Sequence, residues 1–272
     1  MIMAPEVASK VLAAERKSTR MPVLFIGHGS PMNAIEDSEF SRAWADVARH
    51  IPRPTAILCV SAHRQSDGAR VTAMKQPRTI HDFSGFPDQL NAMQYPAYGS
   101  PDLARKVREL PGVGPIQPDQ DWGLDHGTWA VLCRMYPEAD VPVVQLSLDH
   151  NRTPDEHYNL GRQLQPLREQ GVLILGSGNM VHNLGMMGWT DMAFGWAAKF
   201  DLKLKSLIEA RDDEALVNYP ELGPDAPLAI PTDEHYLPML YVLASANKDE
   251  ALRFFADKVT LGSISMRAFQ IG

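Results

Sequence analysis

The chain carries nine histidines against two cysteines, and four of the histidines share one design. They close the segments Val23-Leu-Phe-Ile-Gly-His28, Ala56-Ile-Leu-Cys-Val-Ser-Ala-His63, Val172-Leu-Ile-Leu-Gly-Ser-Gly-Asn-Met-Val-His182 and Ile230-Pro-Thr-Asp-Glu-His235. In the first three, an apolar strand is expected to run into a small-residue turn, with the histidine just beyond it. Parallel strands of an open α/β sheet present their carboxyl ends along one edge, where ligands bind, so imidazoles placed there converge. Small residues at the turn let a ligand approach the backbone closely. Three or four neutral imidazoles meeting at a point suit a first-row transition metal such as Zn, Fe, Cu or Ni. In the fourth segment Thr232 reads as a helix N-cap, which puts His235 in the first helical turn.

Taken singly, a histidine after a strand is commonly a hydrogen-bonded loop residue. Four repeats of the arrangement in a cysteine-poor chain leave both readings open. His50, at a helix end before Ile51-Pro52, is expected to be a surface cation near the helix C-terminus. His150 and His157 flank a helix start and are expected in solvent. His126, within Trp122-Gly-Leu-Asp-His-Gly-Thr-Trp129, reads equally as a capped helix start and as an imidazole facing a substrate. Cys59 and Cys133 read as buried thiols rather than a disulfide framework. No G-x-G-x-x-G, Walker loop, G-x-S-x-G, C-x-x-C or H-E-x-x-H pattern occurs.

The elements that must carry these histidines alternate between short apolar runs and helical patterns, the α/β signature. Strands are predicted at Val23–Ile26, Ala56–Ser61, Arg70–Met74, Val143–Leu148 and Val172–Gly176. Helices are predicted at Ser38–His50, from Ser100-Pro101 onward, at Thr128–Tyr136, from the Thr153–Glu156 capping box to about Gln170, at Ala193–Glu209 and at Glu234–Ala246. Lys258–Thr260 and Ser263–Gln270 alternate as a terminal hairpin or edge strands. The long Pro-, Gly- and aromatic-rich stretch from Lys75 to Ser100 is a candidate functional loop. Residues 1–20 read as a polar, partly helical extension, and no linker divides the rest.

The chain has 272 residues, is 44% hydrophobic and 22% charged, and carries a net charge of −7. That composition argues against disorder, and the acidic balance argues against nucleic acid, whose binders neutralise phosphates with a basic field. No apolar run approaches the roughly 20 residues a membrane helix needs, so no membrane partner is expected. Charged residues in the first 20 positions break any signal-peptide core, which points to a cytoplasmic protein.

The motifs Gly27-His-Gly-Ser-Pro31, Val60-Ser-Ala-His63, His81-Asp-Phe-Ser-Gly-Phe-Pro87, Asp125-His-Gly-Thr-Trp129, Gly178-Asn-Met-Val-His-Asn183 and Pro231-Thr-Asp-Glu-His-Tyr-Leu-Pro238 together resemble the 4,5-DOPA dioxygenase extradiol family, of the LigB-type class III extradiol ring-cleavage dioxygenases. The resemblance implies one LigB-like α/β domain over residues 21–272, with a central mostly parallel or mixed sheet flanked by helices. It implies one mononuclear divalent metal, Fe(II) for dioxygenase activity or Zn(II) as the bound ion. By motif position His28, His63 and His235 are the ligands it implies. The related protocatechuate-cleaving enzymes use a glutamate as third ligand, and Glu234 stands next to His235 here. His182 takes the acid–base position and is an additional metal ligand when substrate is absent. His126 takes the substrate-contacting catalytic position, and His81 and Phe83 line the ring pocket. The implied partners are a small aromatic diol such as DOPA and dioxygen, giving a muconic semialdehyde; the oligomeric state is left open. Two other readings use the same histidines: a zinc hydrolase, and a binding module like the Memo proteins of the superfamily.

Overall fold

The computed structural model describes residues 20–272, so the predicted N-terminal extension lies outside the described residues. The predicted alternation folds into one mixed sheet of eight strands: β1 Val23–Gly27, β2 Ala56–Ser66, β3 Arg70–Thr72, β4 Gln117–Asp119, β5 Val143–Asp149, β6 Val172–Gly178, β7 Leu252–Phe255 and β8 Ala268–Ile271. Their spatial order is β4-β3-β5-β2-β6-β1-β8-β7. The central four, β5-β2-β6-β1, are parallel, while β8 joins β1 and β7 joins β8 antiparallel.

Alternating side chains feed two cores, as expected of strands covered on both faces. Val23, Phe25, Leu58 and Val60 face a layer with Leu103 and Val107 of α2 (Pro101–Glu109), Leu160 of α4 (Pro154–Leu164), Phe200 and Leu204 of α5 (Gly195–Ala210), and α6 (Leu237–Ser245). Leu24, Ile26, Ile57 and Cys59 face Trp44 and Val47 of α1 (Glu39–His50) and Trp129 and Leu132 of α3 (His126–Met135). Every residue of α6 is buried, in keeping with a sequence that is apolar all round.

The register aligns the parts that matter for chemistry. Gly27 pairs with Gly178, and both Ile26 and Ser61 pair with Ser177, so three parallel strands reach the same edge at one level.

Several expectations need correction. Strand β2 does not end at Ser61 in a turn: it continues to Ser66 through a register shift between Val60 and Gln65, because pairing with β5 resumes at Gln65–Leu148. His63 therefore projects from the irregular stretch of a strand. Thr232 caps nothing; α6 begins at Leu237 with Pro238 in its first turn and no side-chain cap, leaving His235 in the preceding turn. Helix α3 starts two residues earlier than predicted, because Asp125 rather than a later residue is the cap. Helix α4 gives way after Leu164 to a 3-10 stretch, Gln165–Gln170, where Pro166 lacks the N–H that α-helical pairing needs. At the C-terminus Val259–Thr260 and Ile264–Ser265 form a small antiparallel pair, but Ala268–Ile271 lies inside the sheet and the edge belongs to Leu252–Phe255, which had no strand prediction. His157 is fully buried with its Nδ1 2.8 Å from the Tyr241 hydroxyl, not in solvent, because it lies in the first turn of α4, which packs along α6. His50, in contrast, is the exposed last residue of α1, as expected.

Candidate metal centre

Five imidazoles meet at the carboxyl edge of the parallel strands. His28 follows β1, His63 stands on β2, His126 opens α3, His182 follows β6 and His235 precedes α6. The ring centroids of His28 lie 5.0 Å from His63, 5.6 Å from His126 and 5.4 Å from His235, and His63 lies 3.9 Å from His126 and 4.9 Å from His235. His182 stacks on His235 at 3.5 Å and 8°. Donor atoms of His28, His63 and His126 all lie within 4.8 Å of one another, and so do those of His182, Glu234 and His235.

Backbone contacts fix the positions of these residues. The His28 amide donates to the Gly178 carbonyl (3.1 Å) and the Asn179 amide to the His235 carbonyl (2.9 Å), which pins both histidine loops to the end of β6. Gly178 permits this approach: a Cβ there would stand 2.1 Å from the His235 carbonyl oxygen. Gly127 has a similar function, because its Cβ would stand 3.0 Å from the His63 ring and 2.5 Å from Ser61 Oγ. Asp125, fully buried, accepts from Ser61 Oγ (2.7 Å), from Gln145 Nε2 and from the Thr128 amide (3.2 Å), so one carboxylate caps α3 and ties it to β2 and β5. Burial pushes the Asp125 carboxyl upward, with the nearby Asp82 adding to it.

The hydrogen bonds on the far side of each ring decide which nitrogen is free. Ser177 Oγ donates to the Gly127 carbonyl (2.5 Å), so toward His28 Nδ1, 3.0 Å away, it is the acceptor. His235 Nδ1 faces Glu234 Oε1 at 3.1 Å, and His63 Nδ1 faces Asp82 Oδ2 at 3.4 Å. An ionised carboxylate only accepts, so the hydrogen bonds place the proton on Nδ1 of His28 and His235 and leave their Nε2 lone pairs free, and the charge of Asp82 favours the same arrangement on His63. The Nε2 atoms of His28 and His63 face each other at 3.0 Å. Two nitrogen lone pairs at that separation repel unless a shared proton or a metal cation lies between them. Two imidazole nitrogens sharing one ion at about 2.1 Å each stand roughly 3 Å apart or slightly more. The donor set therefore fits a divalent ion.

Burial and the crowding of other imidazoles push His28 and His235 well below their ordinary value, and burial chiefly brings His63 to about 3 and His182 to about 4. The rings are neutral at physiological pH, the form that binds metal.

One wall of the cluster is aromatic. Phe83 meets His126 edge-on at 5.6 Å, and His81 stands behind it, 5.7 Å from Phe83 and 5.5 Å from Trp129, its Nε2 2.9 Å from the Met93 carbonyl oxygen. Asp82, between them, accepts from His126 twice: Oδ1 takes the backbone amide and Oδ2 faces Nδ1, both at 2.9 Å. Sequence reasoning passed over Asp82, Ser177 and Asp125. The available signals were a carboxylate inside the His81-Asp-Phe83 motif, a hydroxyl one residue before Gly178, and an aspartate just ahead of a helix start.

Residues 21–266 match the catalytic LigB subunit of aromatic ring-opening dioxygenase. The chain belongs to this family of metal-dependent enzymes, and it is an extradiol ring-cleavage dioxygenase. Among its relatives, 4,5-DOPA dioxygenase extradiol of Escherichia coli is 44% identical over 94% of this chain and 96% of its own, and the protein of that name in Beta vulgaris is 39% identical over 83% and 87%. A crystal structure of an uncharacterized Escherichia coli protein superimposes with a TM-score of 0.80 at 40% identity, covering 93% of this chain and all of the other. These likenesses favour ring cleavage over the hydrolytic and binding-module readings. Among the described residues no helix is long and apolar enough to cross a membrane.

Proposed function

We propose that residues 21–272 form a catalytic domain that opens a catechol beside its diol with dioxygen, using one Fe(II) per chain held by His28, His63 and His235. DOPA is the first substrate to test, because relatives at 44% and 39% identity carry its name. Bound iron supplies the redox capacity that dioxygen chemistry needs and that zinc lacks.

This chain's own residues do the rest. Ser177, Asp82 and Glu234 hold the three Nδ1 protons outward so that the Nε2 lone pairs point inward. His182 moves protons to and from the reacting oxygens: it is half-buried, neutral and held flat on His235. When no substrate is present it is also close enough to the cluster to add a ligand. His126 hydrogen-bonds a catechol oxygen, since it lies beside His63 on the side of the Phe83 wall. Phe83, backed by His81, offers its edge and face to the substrate ring. The two thiols, Cys59 and Cys133, are free, which fits a cytoplasmic site of action.

The observation that carries this reading is the convergence of five imidazoles at the sheet edge, with the His28 and His63 Nε2 atoms 3.0 Å apart. The test is anaerobic loading with Fe(II), then addition of DOPA or other catechols and air. A yellow ring-opened product with matching oxygen uptake is expected. No uptake across a catechol panel at confirmed iron occupancy would overturn the proposal.

A further inference from the structure

We infer that Asp82 is a positioning residue for the reaction: it holds His126 as the Nδ1–H tautomer, so that a bare Nε2 meets the substrate's hydroxyl as a hydrogen-bond acceptor. The inference rests on the ring-cleavage reading for what His126 faces, but its central claim concerns the ring's tautomer and is measurable without turnover.

The carboxylate grips His126 at two points. Oδ1 accepts the His126 backbone amide and Oδ2 faces the ring Nδ1, each at 2.9 Å, and both atoms belong to the first residue of α3. A planar carboxylate bonded to an amide and to the ring of the same residue fixes the side-chain torsion as well as the proton position. The same Oδ2 lies 3.4 Å from His63 Nδ1, so one oxygen serves two adjacent rings whose centroids are 3.9 Å apart. The Asp82 side chain is 16% exposed and that of His126 7%, which leaves little water to substitute for the contact. Asp82 itself sits on the Lys75–Ser100 stretch between His81 and Phe83, whose rings pack on Trp129 of the same helix; the loop is thereby tied to α3 at both flanks of the carboxylate. Asp125 caps α3 through the Thr128 amide, and Asp82 Oδ1 takes the His126 amide, so backbone capping accounts for only one of the two Asp82 oxygens. The ring contact is what remains to be explained, and tautomer selection explains it.

Asp82→Asn separates the tautomer from the fold. Its amide oxygen can keep the backbone N–H of His126, but its NH₂ then faces Nδ1 and requires a lone pair there. The ring must invert to Nε2–H. Long-range ¹H–¹⁵N spectra of ¹⁵N-histidine-labelled, metal-free protein, assigned with His126→Gln, should show His126 protonated at Nδ1 in the parent and at Nε2 in Asp82→Asn. In the iron-loaded enzyme kcat should fall by about 10²-fold, the size expected when one positioned hydrogen-bonding group at a reacting oxygen is lost. The wrong-tautomer aspartate-to-asparagine change in serine-protease triads provides a stronger precedent, at ~10⁴-fold. KM should move much less than kcat, and Asp82→Glu, which retains an acceptor, should restore the parent tautomer and part of the rate.

An unchanged His126 tautomer in Asp82→Asn overturns the inference, as does a parent spectrum with the proton on Nε2. Inverted spectra with kcat retained also overturn it, because the tautomer would then be irrelevant to turnover. If the parent enzyme cleaves no catechol, the ring-cleavage reading fails while the spectra still decide the tautomer.

Discussion

Ser177→Ala tests the idea that the metal-facing nitrogens are selected from behind. Ser177 and its partner His28 are both buried, at 0% and 3% exposure, and the hydroxyl lies 3.0 Å from His28 Nδ1 while donating to the Gly127 carbonyl. Removing it strands the buried Nδ1–H of His28, whereas the Gly127 carbonyl keeps its place in the hydrogen-bond ladder of α3. A stranded buried donor costs about 1–3 kcal/mol. The metal-free protein can avoid that cost by moving the His28 proton to Nε2, where the bare Nε2 of His63 waits 3.0 Å away as an acceptor. Binding an ion then requires the proton to move back to an unpartnered Nδ1, so most of the cost falls on affinity rather than on folding. Loss of a group orienting a histidine ligand typically weakens metal binding by about 10–100-fold, or roughly 1.4–2.7 kcal/mol. Competition against a chromophoric chelator for Fe(II) or Zn(II) should read that change, with the melting temperature of the metal-free protein moved far less. An unchanged dissociation constant would refute the reasoning, as would a fall in apo stability large enough to account for the whole loss.

Further outcomes follow from the same geometry. His28→Ala or His63→Ala should abolish metal retention, measured by elemental analysis after desalting, whereas His182→Ala should retain the ion and lose turnover; full occupancy in both ligand variants contradicts the assignment. Gly178→Ala places a methyl group 2.1 Å from the His235 carbonyl oxygen and should cost about 1–3 kcal/mol of stability while displacing His235, read as a lower melting temperature together with weakened metal binding. Acid stability should depend on Glu250, although it lies away from the centre. Burial raises its carboxyl, but hydrogen bonds from Arg168 and the Asn247 amide, with the charges of Arg168 and Arg20, outweigh that and bring it from 4.5 to about 2. Its folded value lies below its unfolded one, so the stabilisation is full above pH 4.5 and is lost as pH falls toward 2. With part of the pair in solvent the effect is on the order of 2 kcal/mol, and urea titrations of Glu250→Gln between these limits should show a flattened acid limb.

Much of the centre was legible in the chain order. Apolar runs of four to six residues with both faces hydrophobic, containing β-branched residues and followed by small ones, suit strands inside a covered sheet, and that reading places the histidines beyond Ile26, Val60 and Leu175 toward its edge. That imidazoles would gather was readable too, since four histidines follow the same kind of segment in a chain with two cysteines. The order of strands, their register and the tautomers were not. Whether Gly27 and Gly178 lie side by side depends on β6 inserting between β1 and β2, a pairing between segments roughly 150 residues apart that no local pattern encodes. His157 shows the limit from the other side, since nothing near it in sequence announces the Tyr241 hydroxyl that receives it. The proton positions on His28, His63 and His126 are set by Ser177 and Asp82, residues distant in sequence whose oxygens come within hydrogen-bonding range only after the sheet and α3 have packed. Sequence periodicity and composition dictated the elements and the kinds of donor, because burial and turn chemistry act over a few residues. Packing alone decided which nitrogens face inward, because a hydrogen bond depends on tenths of an ångström between groups that only the folded chain brings together.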